Sequence, residues 1–191
     1  MRQTKTIDLV YIAMAAAFLT ICSWISIPSI ASLVPFTLQT FGVFVIAGLL
    51  GGMRGTLSVL LYILLAAVGA PVLSGFKGGL GALTGPTGGY VIGFLFTALI
   101  MWLFETISKK TPAPWLLIIS MILGLSVCYL FGTLWFSHIY VSDSGAKLGF
   151  AAAASICVIP YLIPDAIKIA LAALICSNKT LRKTINSSTA K

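Results

Sequence analysis

Six apolar stretches follow one another along the chain, and this succession constrains the fold more than any other feature. Crossing the hydrocarbon core of a bilayer takes about 20 residues of α-helix, and most of the stretches approach or exceed that length. With 59% hydrophobic and only 8% charged residues, a soluble fold would have too little polar surface. We therefore predict an all-α membrane protein, with six transmembrane helices in one bundle and a single domain over residues 1–191. The stretches are Ile7–Ile27, Phe36–Leu50, Thr56–Leu73, Tyr90–Ile107, Trp115–Phe136 and Leu148–Cys176.

The basic residues are distributed unevenly between the two ends of these stretches. If the stretches alternate across the membrane, most of the 12 basic residues fall on one side, whereas Lys77 and Lys147 fall on the other. Lys168 lies inside the last stretch. By the positive-inside rule, both termini are predicted to be cytoplasmic. Topology and contact with the lipid bilayer then explain the net charge of +8, so we predict no nucleic-acid partner.

The sequence lacks the motifs of several catalytic classes. No Gly-Lys-Ser/Thr sequence occurs, so the chain has no P-loop with which to hydrolyse ATP by itself. His138 is the only histidine, which disfavours both a metal site and a Ser/His intramembrane protease. The four cysteines stand apart from one another and are predicted to pack as small apolar side chains. We expect no enzyme activity and no bound metal.

The segment GGLGALTGPTGGYVIGF, from Gly78 to Phe94, interrupts the apolar pattern. Each interior glycine costs a helix roughly 1 kcal/mol relative to alanine, so no stable helix is expected between Pro71 and Pro86. We predict instead an ordered glycine-rich loop between helices 3 and 4. Irregular backbone at membrane depth persists only where protein or a cavity covers it. The segment is therefore a candidate wall of a binding site.

Within this segment, GPTGGY is predicted to lead into the fourth span. Pro86 suits the first turn of a helix, and the free amides of a helix start attract an acceptor such as a carboxylate or a urea-type oxygen. Thr87 and Tyr90 add hydroxyl groups to this candidate site. Gly89 and Gly93 lie one turn apart, and tight helix packing is an equally good explanation for them.

The connection from Pro28 to Thr40 carries no charge, which is unusual for a loop exposed to water. We expect it to fold back over the bundle as a lid. Phe36 would then cover a ligand, and Gln39 would offer it an amide. A second interpretation makes Gln39 a helix-start residue whose side chain is satisfied within the protein.

Asp165 and Lys168 are the only acid and base enclosed together in an apolar stretch. Residues three and four apart share a helix face, so Tyr161, Asp165 and Lys168 form one stripe. A charge near mid-membrane costs about 2.5–3.5 kcal/mol even on the lenient insertion scale, so this stripe must face the protein interior. It is a candidate ligand or proton site, and an internal ion pair that only fixes packing is the alternative.

Ala13 and Ala17 lie one turn apart in the first span. A face of small residues allows close approach of another helix in a membrane. That helix belongs either to this bundle or to a separate subunit.

The chain resembles the BioY family, the biotin-specific S components of energy-coupling factor vitamin transporters. The resemblance covers nearly the whole chain and rests on PFTLQT, AGLLGG, LSVLLYILLAAVGAPVLSG, GPTGGYVIGF and PDAIKIALAAL. It implies a multi-pass protein in the plasma membrane of a prokaryote that binds biotin from outside with high affinity and needs no cofactor. It also implies partners: a transmembrane coupling protein and two ATP-binding subunits, which supply the energy.

The resemblance also assigns roles to individual residues. In the loop GFKGG, Phe76 and Lys77 are bulkier and more basic than the small residues usual in the family, so Lys77 contacts either ligand or solvent. A proton- or ion-coupled secondary carrier of a small polar metabolite, in which Asp165 titrates during transport, is the alternative function. By resemblance, Asp165 and Lys168 lie at the polar ends of biotin, Thr87, Gly89 and Tyr90 lie along the pocket wall, and Ala13 and Ala17 face the coupling protein.

Overall fold

The computed structural model describes residues 6–27, 34–108, 113–141, 148–178 and 181. Both termini, whose cytoplasmic location was predicted, lie outside these ranges, and so do residues 28–33 of the predicted lid. The described part of the chain is mostly helical. In chain order the elements are α1 (Thr6–Trp24), β1 (Ser26–Ile27), β2 (Phe36–Thr37), α2 (Gln39–Leu50), α3 (Gly52–Ala67), α4 (Leu80–Thr84), α5 (Gly88–Ile107), α6 (Pro114–Ile139), α7 (Phe150–Cys157) and α8 (Leu162–Ser177).

Four helical segments of the described chain are long and apolar enough to cross a membrane. They are α1, α5, α6 and the stretch Phe150–Ser177 that contains α7 and α8. The apolar helices α2 and α3 have 12 and 16 residues, or about 18 and 24 Å at the usual rise. Both are shorter than a hydrocarbon core of about 30 Å. The helical membrane class is confirmed, whereas six spans remain a prediction.

A sharp turn joins α2 to α3. Gly51, the only residue between them, has φ of 85°, a conformation that favours glycine. A Cβ on Gly55 would lie 2.6 Å from the Cα of Ala47, so the two helices pack backbone to backbone. The Gly52 amide at the start of α3 donates to the carboxylate of Glu105 on α5. The turn is therefore held by the neighbouring helix.

The glycine-rich connection between α3 and α5 contains a short helix. The Gly79 amide donates to the carbonyl of Ala66 at 2.7 Å, which fixes the connection to the end of α3. The expectation that no helix forms between Pro71 and Pro86 is wrong for the five residues of α4. The fourth span begins at Gly88, so Pro86 precedes its first turn and does not lie within it.

The last apolar stretch is broken in the middle. A single 3-10 turn, Ile159–Tyr161, separates α7 from α8. Pro160 lies in this turn and Pro164 lies in the first turn of α8, where a missing amide costs no intrahelical hydrogen bond. The break makes Asp165 a first-turn residue of α8. Its carboxylate therefore lies at a helix end.

The two strands, one after the end of α1 and the other before the start of α2, form a small antiparallel ladder. Ser26 pairs with Thr37, and Ile27 pairs with Phe36. The Leu38 amide also donates to the carbonyl of Cys22 at 3.2 Å. The described end of the predicted lid is thus attached to the end of the first helix, an arrangement that the all-helical expectation did not include.

Two groups of buried apolar side chains form the core. One lies among α1, α3, α5 and their neighbours and includes Leu19, Tyr62 and Phe94. The other lies between α2, α6 and α8 and includes Phe44 and Met121. All four cysteines are free and buried, as the sequence predicted.

Glycines bring α5 and α6 into close contact. A Cβ on Gly89 would lie 2.3 Å from the Cβ of Trp135, and one on Gly132 would lie 2.2 Å from the ring of Tyr90. No larger residue fits at either position without movement of the opposite helix. This contact fixes Tyr90 against α6.

Candidate ligand site

A cavity of about 500 Å³ lies between the β2–α2 segment, the α3–α5 connection and helices α5 to α8. Ligand pockets for small molecules usually measure about 300–1,000 Å³ and combine an apolar lining with few polar groups. Here Val91 and Phe94 contribute apolar surface, while Asp165, Lys168 and Tyr161 contribute polar atoms. The cavity therefore has the size and lining of a small-molecule site.

The polar end of the cavity is a connected cluster around Asp165 and Lys168. The Lys168 ammonium lies 2.6 Å from Asp165 Oδ1 and donates to the Thr37 carbonyl at 2.7 Å and to Thr40 Oγ1 at 3.1 Å. The Thr40 hydroxyl donates to Asp165 Oδ1 at 3.1 Å. The Tyr129 hydroxyl donates to the other carboxylate oxygen. Three segments of the chain, residues 37–40, α6 and α8, thus meet at one ion pair.

This ion pair is nearly closed to solvent. The side chains of Asp165 and Lys168 are 3% and 6% exposed. An ammonium has three donor positions, and those of Lys168 have three partners. A carboxylate accepts at about four positions, of which described residues fill three at Asp165. The fourth acceptor position of Asp165 has no hydrogen-bond donor among the described residues.

Aromatic rings cover the same end of the cavity. The Lys168 ammonium lies 4.3 Å from the centre of the Phe36 ring, within the range of a cation–π contact. The Phe36 and Tyr161 rings stack with centres 6.3 Å apart, and the Tyr161 hydroxyl donates to the Val34 carbonyl. Residues 34–40, which we call the lid segment, therefore pack against the start of α8.

Gln39 is the first residue of α2 and is buried. Its amide donates to the Tyr62 hydroxyl at 2.8 Å, and its carbonyl oxygen accepts from the Thr37 hydroxyl at 2.9 Å. Gln39 also lines the cavity. The two interpretations made from the sequence are therefore compatible, because a helix-start residue with internal partners still faces the cavity.

The GPTGGY segment forms the opposite wall. Thr87 and Tyr90 line the cavity, and the Tyr90 hydroxyl lies 3.0 Å from Thr133 Oγ1 on α6. Trp135 holds the segment from outside by donating to the Gly85 carbonyl at 3.0 Å. Gly89 packs on the same tryptophan and is not among the described residues that line the cavity. Phe36 is not among them either.

Several lining residues were not singled out from the sequence. Tyr129 and Thr40 both donate to Asp165. Tyr129 could not be predicted as a site residue, because an aromatic residue in an apolar stretch is more often part of the core. Cys128 and Cys157 also line the cavity and were predicted only to be buried. The sequence does not show that a hydroxyl on α2 or α6 lies next to Asp165 on α8, because this depends on how the helices pack.

The predicted subunit face lies outside the cavity, on α1. Ala13 and Ala17 are both exposed, so packing within this bundle does not explain them. Met14 and Val10 beside them are 63% and 52% exposed. This side of α1 therefore faces lipid or another protein.

The other described acids have partners outside the cluster. Asp8 lies 2.8 Å from Arg54 in an ion pair between α1 and α3, and Glu105 accepts from the α3 amide. Asp143 lies outside the described residues. His138 is exposed at the end of α6. Among the described residues, no three histidines, cysteines or acids gather as a metal-binding group.

The fold and the cavity together define a class: a small helical membrane protein that encloses a ligand-sized space with one buried ion pair at its wall. Comparison with known proteins refines this class. The BioY family matches residues 1–186. The chain belongs to the BioY family, as its motifs indicated.

Relatives named as biotin transporters match over most of their length. A protein of Thermotoga maritima named "Biotin transporter BioY" is 41% identical over 161 residues, which cover 83% of this chain and 87% of the relative. "Biotin transporter BioY2" of Lactococcus lactis subsp. cremoris is 36% identical, covering 78% and 81% of the two chains. The Rhizobium etli "Biotin transporter BioY" is 35% identical, covering 90% and 91%.

A crystal structure has the same fold. It is described as the S-component for biotin from an ECF-type ABC transporter, and it is 31% identical in sequence to this chain. The match covers 95% of each chain with a TM-score of 0.81. The overall arrangement of the helices in this chain is therefore that of a solved S-component.

Proposed function

We propose that this chain is the high-affinity biotin-binding membrane subunit of a vitamin uptake system, energised by a separate coupling and ATPase module. The observation that carries the proposal is the buried Asp165–Lys168 cluster at the wall of a ligand-sized cavity. The relatives named as biotin transporters and the fold of the biotin S-component support it.

The chemistry of biotin suits this cavity. Its ureido ring has two N–H donors and one carbonyl oxygen, and Asp165 keeps one acceptor position for such a donor. Hydrogen bonds to an ionised group are stronger than those between neutral groups. The thiophane ring and the alkyl chain fit apolar surface such as that of Val91 and Phe94. Nothing in this recognition makes or breaks a bond, so we propose a binding subunit rather than an enzyme.

The proposed ligand-binding residues either line the cavity or support the residues that line it. Asp165 and Lys168 bind polar groups, and Tyr161 and Phe36 hold the lid segment close to them. Gly89 acts through helix packing, because its Cβ position is filled by Trp135. The remaining members of the proposed set are Gln39, Thr87 and Tyr90.

We also propose the assembly that this function requires. The exposed small-residue face of Ala13 and Ala17 would contact the transmembrane coupling protein, with two ATP-binding subunits beneath it. The chain would be a single six-span domain of a prokaryotic plasma membrane, with both termini in the cytoplasm. Biotin would be the transported ligand, and no cofactor would take part.

The secondary-carrier alternative gains no support from the cluster. A carrier that uses Asp165 would need this carboxylate to exchange protons or ions with water during transport. Asp165 instead accepts hydrogen bonds from Lys168, Thr40 and Tyr129 while its side chain is 3% exposed. A carboxylate enclosed in this way has little contact with the water from which a proton or an ion would come.

Titration calorimetry with the purified chain tests the proposal directly. We expect biotin to bind the wild-type chain, and Asp165→Asn to weaken binding by at least tenfold because a carboxylate hydrogen bond is worth about 1.5–3 kcal/mol. Asp8→Asn, at the other ion pair, is the matched control and should keep the wild-type affinity. A wild-type chain freed of co-purified ligand that shows no heat with biotin would contradict the proposal.

A further inference from the structure

Two cations line the cavity in the described part of the chain, and the proposed function uses only Lys168. The other is Lys77, in the connection between α3 and α5. We propose that Lys77 binds the carboxylate of biotin, so that the ureido ring lies at the Asp165 end of the cavity. This inference rests on the proposed function and adds the orientation of the ligand and a residue that selects the free acid.

The Asp165–Lys168 cluster is poorly suited to receive the carboxylate. The donor positions of the Lys168 ammonium already have partners in Asp165, Thr37 and Thr40. The pair is neutral as a whole, and a ligand carboxylate would bring a second negative charge next to Asp165, which is unfavourable at short range. A neutral ureido N–H meets no such repulsion and fits the acceptor position that Asp165 has left.

Lys77 differs from Lys168 in that its ammonium has no carboxylate partner among the described residues. The Lys77 side chain is exposed. Asp165 is the only described acid that lines the cavity, and it is already paired with Lys168, so no other described carboxylate of the cavity neutralises the charge of Lys77. The carboxylate is the one group of biotin that is ionised at neutral pH, and an ammonium is its natural partner.

The backbone beneath Lys77 is held in place. The Lys77 carbonyl accepts from the Leu73 amide at 3.0 Å, which closes the turn around Gly75. A Cβ on Gly78 would lie 2.2 Å from the Ala70 carbonyl oxygen, so the next residue packs directly on the chain that leaves α3. The long side chain thus starts from a fixed point, which reduces the entropy lost when it binds a ligand.

The contribution of Lys77 should be modest, because an exposed ion pair is screened by water. Pairs of this kind are worth up to about 1 kcal/mol, or about fivefold in affinity. A charge at the rim of a site also acts on the association rate and on its salt dependence. Lys77 would therefore select between ligands that differ in charge, whereas the buried cluster would supply most of the affinity.

The test compares biotin with biotinamide, in which a neutral carboxamide replaces the carboxylate. Displacement calorimetry measures both ligands on the wild-type chain, on Lys77→Gln and on Lys77→Arg. We expect the wild type to prefer biotin about fivefold, Lys77→Gln to bind both equally, and Lys77→Arg to keep the preference. Lys147→Gln is the matched control, because the sequence assigns Lys147 to the same side of the membrane, and it should behave as the wild type.

The outcomes separate this inference from the proposed function. Equal binding of both ligands by the wild type, or an undiminished preference in Lys77→Gln, would overturn the role of Lys77 while biotin binding stands. A preference that disappears in Lys168→Met but persists in Lys77→Gln would reverse the orientation. Failure of the wild type to bind either ligand would overturn the proposed function itself.

Discussion

Removing both charges of the Asp165–Lys168 pair should separate binding from folding. Lys168→Met alone leaves a buried carboxylate with two hydroxyl donors, and Asp165→Leu alone leaves a buried ammonium. Breaking a buried pair in this way costs about 3–5 kcal/mol. For 150–250 residues, 1 kcal/mol corresponds to about 2–4 °C in melting temperature, so each single variant should lose roughly 6–20 °C.

The double variant should recover most of that loss. Replacing both members of a buried pair by apolar residues is often neutral or stabilising by about 1–4 kcal/mol. Against this gain, Tyr129, Thr40 and the Thr37 carbonyl lose a partner in the cluster, at about 1 kcal/mol each. The two contributions nearly cancel, so the melting temperature of the double variant should stay within a few degrees of the wild-type value.

Biotin binding should nevertheless be lost in the double variant. Thermal unfolding in detergent measures stability, and titration calorimetry on the same preparation measures affinity, which we expect to fall at least 100-fold. The pair Asp8–Arg54, with 12% and 14% side-chain exposure, is the control: its removal should change stability and spare binding. Unchanged affinity in the folded double variant would refute the site, and additive losses of stability would refute the pairing.

Three further predictions concern other parts of the molecule. Replacing Ala13 and Ala17 by tryptophan should spare biotin binding, since both lie outside the cavity, and should reduce co-purification with coupling subunits; intact co-purification would contradict the proposed face. Gly89→Val should lower the melting temperature by several degrees, because the added carbons meet Trp135 and overpacking costs about 1–3 kcal/mol; an unchanged value would contradict the close contact. Purified chain in liposomes should not take up biotin under a pH gradient alone, and sustained uptake would favour the carrier alternative.

The sequence predicted the helical class and the Asp165–Lys168 pair for a simple reason. A charge inside an apolar stretch is costly, so it must face the protein interior, and helical spacing then gives its neighbours on the same face. No such argument reaches Tyr129 or Thr40. Their hydroxyls become relevant only because α6 and α2 pack against α8, and that packing cannot be read from local spacing.

The role of each glycine also depends on packing that the sequence does not show. GPTGGY was predicted to lead into a span, and its last three residues begin α5, but spacing does not say whether a glycine makes room for a ligand or for a helix. At Gly89 the neighbour is Trp135, more than 40 residues away in the sequence. The pairing of Ser26 with Thr37 was missed because a ladder of two residues per strand has no periodicity to detect.

The contact between Lys168 and the Thr37 carbonyl has a thermodynamic consequence. The ammonium that balances Asp165 also holds the backbone of the lid segment, at 2.7 Å. A ligand that alters the hydrogen bonds of this ammonium changes the free energy of the lid position, and linkage requires that the lid position alter ligand affinity by the same factor. Under the proposed function, ligand binding inside the membrane is thereby coupled to the conformation of the lid segment through a single nitrogen atom.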